Sequence, residues 1–196
     1  MKKFTAALVV LINCYIIDNA SAAQNMSYVY DSKGSLIYSE NQGNSGGNQK
    51  AYSYDQAENR NVITVVDTSG ASLLVYRFYQ GPSHFYTNYY PEGANVGFKF
   101  EGYGFLVYKF SASGMHPLYR CYNASNQVRL ISVQQNCEGL SNEGAFGYAA
   151  DNSSSGLVPL YRFHNSSATD FLTTETYDEG VNAGYVYEGI LGYVPQ

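Results

Sequence analysis

Apolar and polar residues alternate along most of this chain in short runs, the period of a strand with one face buried. In a middle stretch, strands are predicted at 74–79, 84–88, 98–101 and 105–110. In the last stretch they are predicted at 160–164, 170–174, 185–188 and 190–194. Between the second and third strands lie 90–95 and 176–183, where Glu92-Gly93 and Glu179-Gly180 leave room for a single helical turn. Nearer the start, Tyr28-Val29-Tyr30-Asp31 and Tyr52-Ser53-Tyr54-Asp55 begin 24 residues apart. Each is followed by a turn signal and a second alternating run, Leu36-Ile37-Tyr38 or 62–66, which predicts two β-hairpins. The Gly-, Asn- and Ser-rich segment 41–49 reads as the loop that joins them.

Two markers recur with one period. Tyr76-Arg77, Tyr119-Arg120 and Tyr161-Arg162 are spaced by 43 and 42 residues. Glu101-Gly102, Glu143-Gly144 and Glu188-Gly189 are spaced by 42 and 45. A period in this range belongs to closed or stacked repeats. Three units with four strands each predict an all-β, β-trefoil-like domain over 73–196, its twelve strands closed on a pseudo-threefold axis. Another threefold β-assembly, such as a three-sheet prism, satisfies the same pattern. Residues 24–70 form the N-terminal hairpin appendage in this reading.

The first residues change the compartment. Lys2 and Lys3, the apolar run 4–17 and Ala20-Ser21-Ala22 predict a secretory signal peptide over 1–22. A lipid anchor on Cys14 is the rival, and Asn13 before it is a poor fit. The chain carries a net charge of −5; without Lys2, Lys3 and Asp18 it holds 9 basic and 15 acidic residues, a net −6. That balance argues against nucleic acid, whose phosphates need clustered Lys and Arg, and against an anionic membrane surface. No segment after the leader could cross a membrane as a helix. With 21 tyrosines and only 14% charged residues, the composition fits an extracellular β-domain, secreted or periplasmic. Cys121 and Cys137 remain, and an even count in an exported chain predicts a disulfide.

The candidate chemistry is sparse. Arg77 with Glu101, Arg120 with Glu143 and Arg162 with Glu188 recur once per unit and are expected to pair as structural struts, since a guanidinium bridges a carboxylate and stacks on a ring. The alternative, three equivalent acidic catalytic or metal sites, has no further motif behind it. The histidines His84, His116 and His164 have no metal-ligand spacing, and His84 reads as structural. Gly43-Asn44-Ser45-Gly46-Gly47 lacks the strand and helix of a nucleophile elbow. No catalytic residue, metal or cofactor is expected. Sugar recognition wants aromatic faces with a few amide, hydroxyl or carboxylate partners. Tyr86, Asn88, Tyr89 and Tyr90 in the first unit, and His164, Asn165, Asp170 and Tyr177 in the third, supply such sets.

The segment around Tyr28–Tyr30 and Tyr52–Tyr54 resembles the Rhs/YD-repeat family, whose units pair hairpins into long sheets. Two units are too few to enclose anything, so the family's shell does not carry over. Residues 74–194 resemble a bacterial and fungal family of secreted repeats of unknown function. Its unit is matched by Leu160-Tyr161-Arg162-Phe163, by His84-Phe85-Tyr86-Thr87 and by Gly184-Tyr185-Val186-Tyr187-Glu188-Gly189-Ile190. The second unit, with 127–132 in the middle position, is the most divergent. Attachment of such domains to secreted hydrolases implies surface or glycan binding. The expectation is an exported, non-catalytic module for carbohydrate or a cell-surface component. A module that binds or inhibits an extracellular protein is the alternative, and a secreted hydrolase the third.

Overall fold

A computed structural model describes residues 25–30, 33–43, 46–54, 60–67, 71–81, 83–167 and 169–196. The expected leader, Ser45 and the turn residues Asp31, Asp55 and Asn59 lie outside the described residues. The chain divides into two units, Met1–Gly70 with Tyr90–Val96, and Ala71–Tyr89 with Gly97–Gln196. Both are built mainly of β-strands, and no helix among the described residues is long and apolar enough to cross a membrane.

In the first unit, β1 (Asn25–Tyr30), β2 (Leu36–Gly43), β3 (Gly46–Tyr54) and β4 (Arg60–Asp67) form an antiparallel sheet in chain order. Val29, Tyr38 and Tyr52 are buried, and the hydroxyls of Ser39 and Tyr52 meet at 3.2 Å. Segment 41–49 is not the expected loop: Asn41, Gln42 and Gly43 pair with Asn48, Gly47 and Gly46. Antiparallel pairing uses backbone groups, so a polar, glycine-rich sequence can pair as readily as an apolar one. The six-residue helix α1 (Tyr90–Asn95) belongs to this unit, and its Tyr90 ring stacks on Tyr38 with centroids 5.7 Å apart and planes 5° from parallel.

The second unit repeats one pairing scheme in three successive stretches. β5 (Ser72–Gln80) lies between β6 (Ser83–Thr87) and β7 (Lys99–Tyr108). β8 (Met115–Asn123) lies between β9 (Val128–Ser132) and β10 (Ser141–Ala150). β11 (Leu157–Asn165) lies between β12 (Asp170–Thr174) and β13 (Val186–Pro195). The described unit thus has three strands per stretch rather than the expected four, because the last two predicted strands are one. At Arg77 and Phe78 the partners are Gly102 and Phe100, so Glu101 is an extra residue. At Arg162 and Phe163 they are Gly189 and Tyr187, which leaves Glu188 extra. Gly102, Gly144 and Gly189 follow the three glutamates at φ +141°, +112° and +154°. The Glu-Gly pair therefore makes a β-bulge that bends one long strand instead of ending it.

Corresponding positions fill one core. Val75, Leu118 and Leu160 come from the central strands, and Val107, Ala149 and Val194 from the third strands. Tyr86 and Ile131 come from the short strands. Burying each aliphatic side chain contributes about 1.5–3 kcal/mol. The short strands β6, β9 and β12 each touch the other two, and β6 is buried from His84 through Thr87.

Candidate functional site

Each bulge aims its glutamate at the arginine of the neighbouring central strand. Arg77 Nε lies 3.2 Å from Glu101, Arg120 Nε 2.9 Å from Glu143 and Arg162 Nε 2.7 Å from Glu188. All three arginines also reach into another stretch, Arg120 through Nη1 to Tyr86 O at 3.4 Å. Arg77 Nη1 donates to Glu179 of α2 (Tyr177–Asn182) at 2.7 Å, and Arg162 Nη1 to Glu138 of a 3₁₀ turn (Cys137–Gly139) at 2.6 Å. These glutamates are tied in turn to buried hydroxyls, Thr174 for Glu179 and Ser132 for Glu138. Burial alone would push the Glu138 carboxyl up, but the hydrogen bonds of Arg162 and Ser132 hold it below the usual range. It stays ionised at neutral pH.

A second polar junction joins the first stretch to the third. Asp170 is buried at the start of β12. It accepts from the backbone N–H of His84 at 2.8 Å, meets His84 Nδ1 at 2.6 Å and accepts from the Tyr185 hydroxyl at 2.6 Å. Burial pushes its carboxyl up, yet the His84 and Tyr185 contacts more than offset this and keep it below the ordinary aspartate value. His84 Nε2 faces Glu101 at 3.6 Å. Both oxygens of Asp170 are thus met by this chain, and Tyr79 packs on the imidazole at 4.9 Å.

The eight sequence-derived binding residues differ in burial. Tyr86 is buried, with its hydroxyl accepting from Thr173 N at 2.9 Å, and burial drives its pKa far up. Tyr90 and Asp170 are buried as well. The sequence reading expected these three as ligand-facing, and in the structure all three are buried. The short strands sit where three stretches meet, so alternation there does not separate an inner from an outer face. Asn88 is half-buried and donates to Phe146 O at 3.1 Å, whereas Tyr89 is exposed. His164 stacks on Phe171 at 4.4 Å, and Asn165 accepts from Ser167 N at 3.1 Å.

Tyr177 has different surroundings. It is 43% exposed and stands at the start of α2 against Tyr187, itself 41% exposed, with centroids 5.3 Å apart in an edge contact. Tyr161 completes the cluster at 5.3 Å from Tyr177 and 6.1 Å from Tyr187. Beneath them the fully buried Phe163 touches Tyr177 and Tyr187, each at 5.5 Å. Asp178 and Asn182 are exposed on the same short helix. The sequence reading had missed Tyr161 and Tyr187; the signal for Tyr161 was its two-residue spacing from Phe163 on one strand face. Gly180 lets the helix approach: a Cβ there would lie 2.5 Å from the Phe163 ring. Gly180→Ala is therefore expected to lose about 1–3 kcal/mol by overpacking, measured by urea unfolding, and to disturb the Tyr177 face.

Another surface feature is a cavity of about 170 Å³ beside Arg162, on the opposite side of β11 from Tyr161 in the strand's alternation. Among the described residues, no cluster of three or more His, Cys, Asp or Glu side chains could hold a metal ion. Comparison with known families finds that the model of a domain family of unknown function, DUF5648, matches residues 34–136 and 132–195. Its first match starts within the four-stranded sheet and runs into the second stretch. No curated protein and no solved structure matches the chain.

Proposed function

The chain belongs to the DUF5648 family, a domain family of unknown function, and from that premise we propose that it is an exported, non-catalytic carbohydrate-binding module. The observation that supports this is the tyrosine platform of Tyr177 and Tyr187, backed by Tyr161 and Phe163. The C–H face of a sugar ring packs on an aromatic ring, and nearby polar groups fix its orientation. Asp178 and Asn182 would serve its hydroxyls. The fold that goes with this reading is a β-trefoil-like threefold repeat, for which the shared pairing scheme of the three stretches speaks. The N-terminal sheet would be the YD-type appendage, and the leader would direct export.

A protein partner is the second reading, for one reason. Tyr90 begins α1 as Tyr177 begins α2, and Tyr90 is stacked by Tyr38 from a β-sheet. A tyrosine-bearing strand is thus a possible occupant of the same kind of surface. Co-sedimentation with insoluble cell-wall polysaccharides, cellulose and chitin tests the glycan reading. Tyr177→Ala and Tyr187→Ala are each expected to weaken binding two- to tenfold, because one ring contact contributes about 0.5–1.5 kcal/mol. Unchanged retention in both variants would remove the platform from the account.

A further inference from the structure

The exposed rings of the tyrosine platform do not lie in one plane. Tyr177 and Tyr187 are 68° apart, and Tyr161 stands at 72° to Tyr177 and 66° to Tyr187. A flat solid face touches only rings that share a plane. Rings at these angles can meet a single saccharide chain, one sugar at a time, and not a layer of parallel chains.

The counterpart of α2 shows what its leading tyrosine accepts. Tyr90-Pro91-Glu92-Gly93-Ala94-Asn95 and Tyr177-Asp178-Glu179-Gly180-Val181-Asn182 share Tyr, Glu, Gly and Asn at the same spacing. Tyr90 is buried, and the Tyr38 ring lies against it 5° from parallel. A flat six-membered ring thus stacks on the first tyrosine of this helix. Tyr177 is 43% exposed instead. The chain's own cations leave it open as well. Arginines lie over the rings of Phe85, Tyr122 and Phe171, but among the described residues no lysine or arginine lies over Tyr177 or Tyr187.

Charge narrows the ligand further. Between 157 and 195, Arg162 is the lone Lys or Arg, against Asp170, Glu175, Asp178, Glu179 and Glu188. Arg162 is held by Glu138 and Glu188. Asp178 is exposed next to Tyr177 and makes no ion pair among the described residues. Such a carboxylate accepts from sugar hydroxyls and repels a uronate.

We propose that the platform takes one neutral, β-linked chain of glucose-type pyranoses, with a sugar flat on Tyr177 and its hydroxyls on Asp178 and Asn182. It does not take the face of a crystalline polysaccharide. A pyranose with every substituent equatorial carries only C–H bonds on its two faces, so it packs flat on an aromatic ring. The inference rests on the carbohydrate reading and narrows it.

The test is titration of the isotope-labelled protein with cellohexaose, chitohexaose and hexagalacturonate, beside retention on microcrystalline cellulose. Saturable shifts of the Asp178, Asn182 and Tyr187 amides are expected with cellohexaose or chitohexaose, and none with hexagalacturonate. Tyr177→Ala should weaken that binding roughly two- to tenfold, the loss of one ring contact. The shifts in the wild type locate the site even where this variant loosens the packing on Phe163. Microcrystalline cellulose should retain no more wild type than Tyr177→Ala. Crystal retention lost in Tyr177→Ala, hexagalacturonate shifts at these amides, or binding of a differently linked glycan in place of both neutral chains would overturn the inference and leave the carbohydrate reading standing. No binding of any probe together with a blank glycan array would overturn both.

Discussion

Replacing Asp170 by alanine is expected to destabilise the protein by about 3–5 kcal/mol, because each buried polar group left unsatisfied costs about 1–3 kcal/mol. Its carboxylate is fully buried and takes three short contacts from His84 and Tyr185. Truncation leaves an imidazole, a phenol and a backbone N–H facing an empty space. The contact spans 86 residues and joins β6 to β12, so its loss leaves the first stretch tied to the third through Arg77–Glu179 and Tyr86–Thr173. The melting temperature should fall by roughly 10 °C or more. The effect has a pH signature. The Asp170 carboxyl is held below its ordinary value in the folded state, so ionisation stabilises the fold. That stabilisation is complete above the unfolded value of about 3.9 and is lost as pH falls through the lower folded value. The gap between wild type and Asp170→Ala should be widest near neutral pH and narrow below about pH 4. Urea unfolding of both proteins across that range measures it.

Loss of the Cys121–Cys137 disulfide is the second large effect. The bond joins β8 to the 3₁₀ turn across a sequence separation of 16. Closing a loop of this length contributes about 3 kcal/mol, mainly by restricting the unfolded chain. Its place in the fold explains why a bond is used here. Cys121 occupies the position in β8 that Phe163 holds in β11, as the pairing of each strand shows. In the third stretch, Phe163 and Tyr177 tie the central strand to the helix by ring contact at 5.5 Å. In the second stretch the sulfurs make that tie covalently. Cys121→Ser/Cys137→Ser is expected to lower the unfolding free energy by about 3 kcal/mol. It should also free the turn that holds Glu138 on Arg162. Denaturant unfolding measures the first effect, and amide exchange at 137–139 measures the second.

The strands were legible where one face is buried and the other is not. Tyr161 and Arg162 alternate on β11, one meeting Tyr177 and Tyr187 and the other Glu188. The Glu-Gly pairs misled as strand ends because a bulge and a turn use the same glycine, and only the partner strand tells them apart. Segment 41–49 misled in the opposite sense, since its pairing needs no apolar side chain. Tyr86 and Asp170 carried the residue types of a binding site but lie where three stretches meet. No local pattern marks a contact such as His84 with Asp170. Glu138 escaped for a related reason. The sequence around it has diverged, yet Cys137-Glu138-Gly139 places its carboxylate on Arg162 as Glu179 sits on Arg77. The Tyr177 platform was half-legible, because Tyr177 stands out in the sequence while Tyr161 and Tyr187 join it only through strand pairing and helix packing.

The most direct test of the carbohydrate-binding account is a glycan array probed with residues 23–196 and with the Tyr177→Ala/Tyr187→Ala variant of the same chain. The account predicts selective binding to a defined set of glycans by the wild type, and its loss in a variant that remains folded by circular dichroism. A blank array from folded wild-type protein, or identical binding by both proteins, would contradict it.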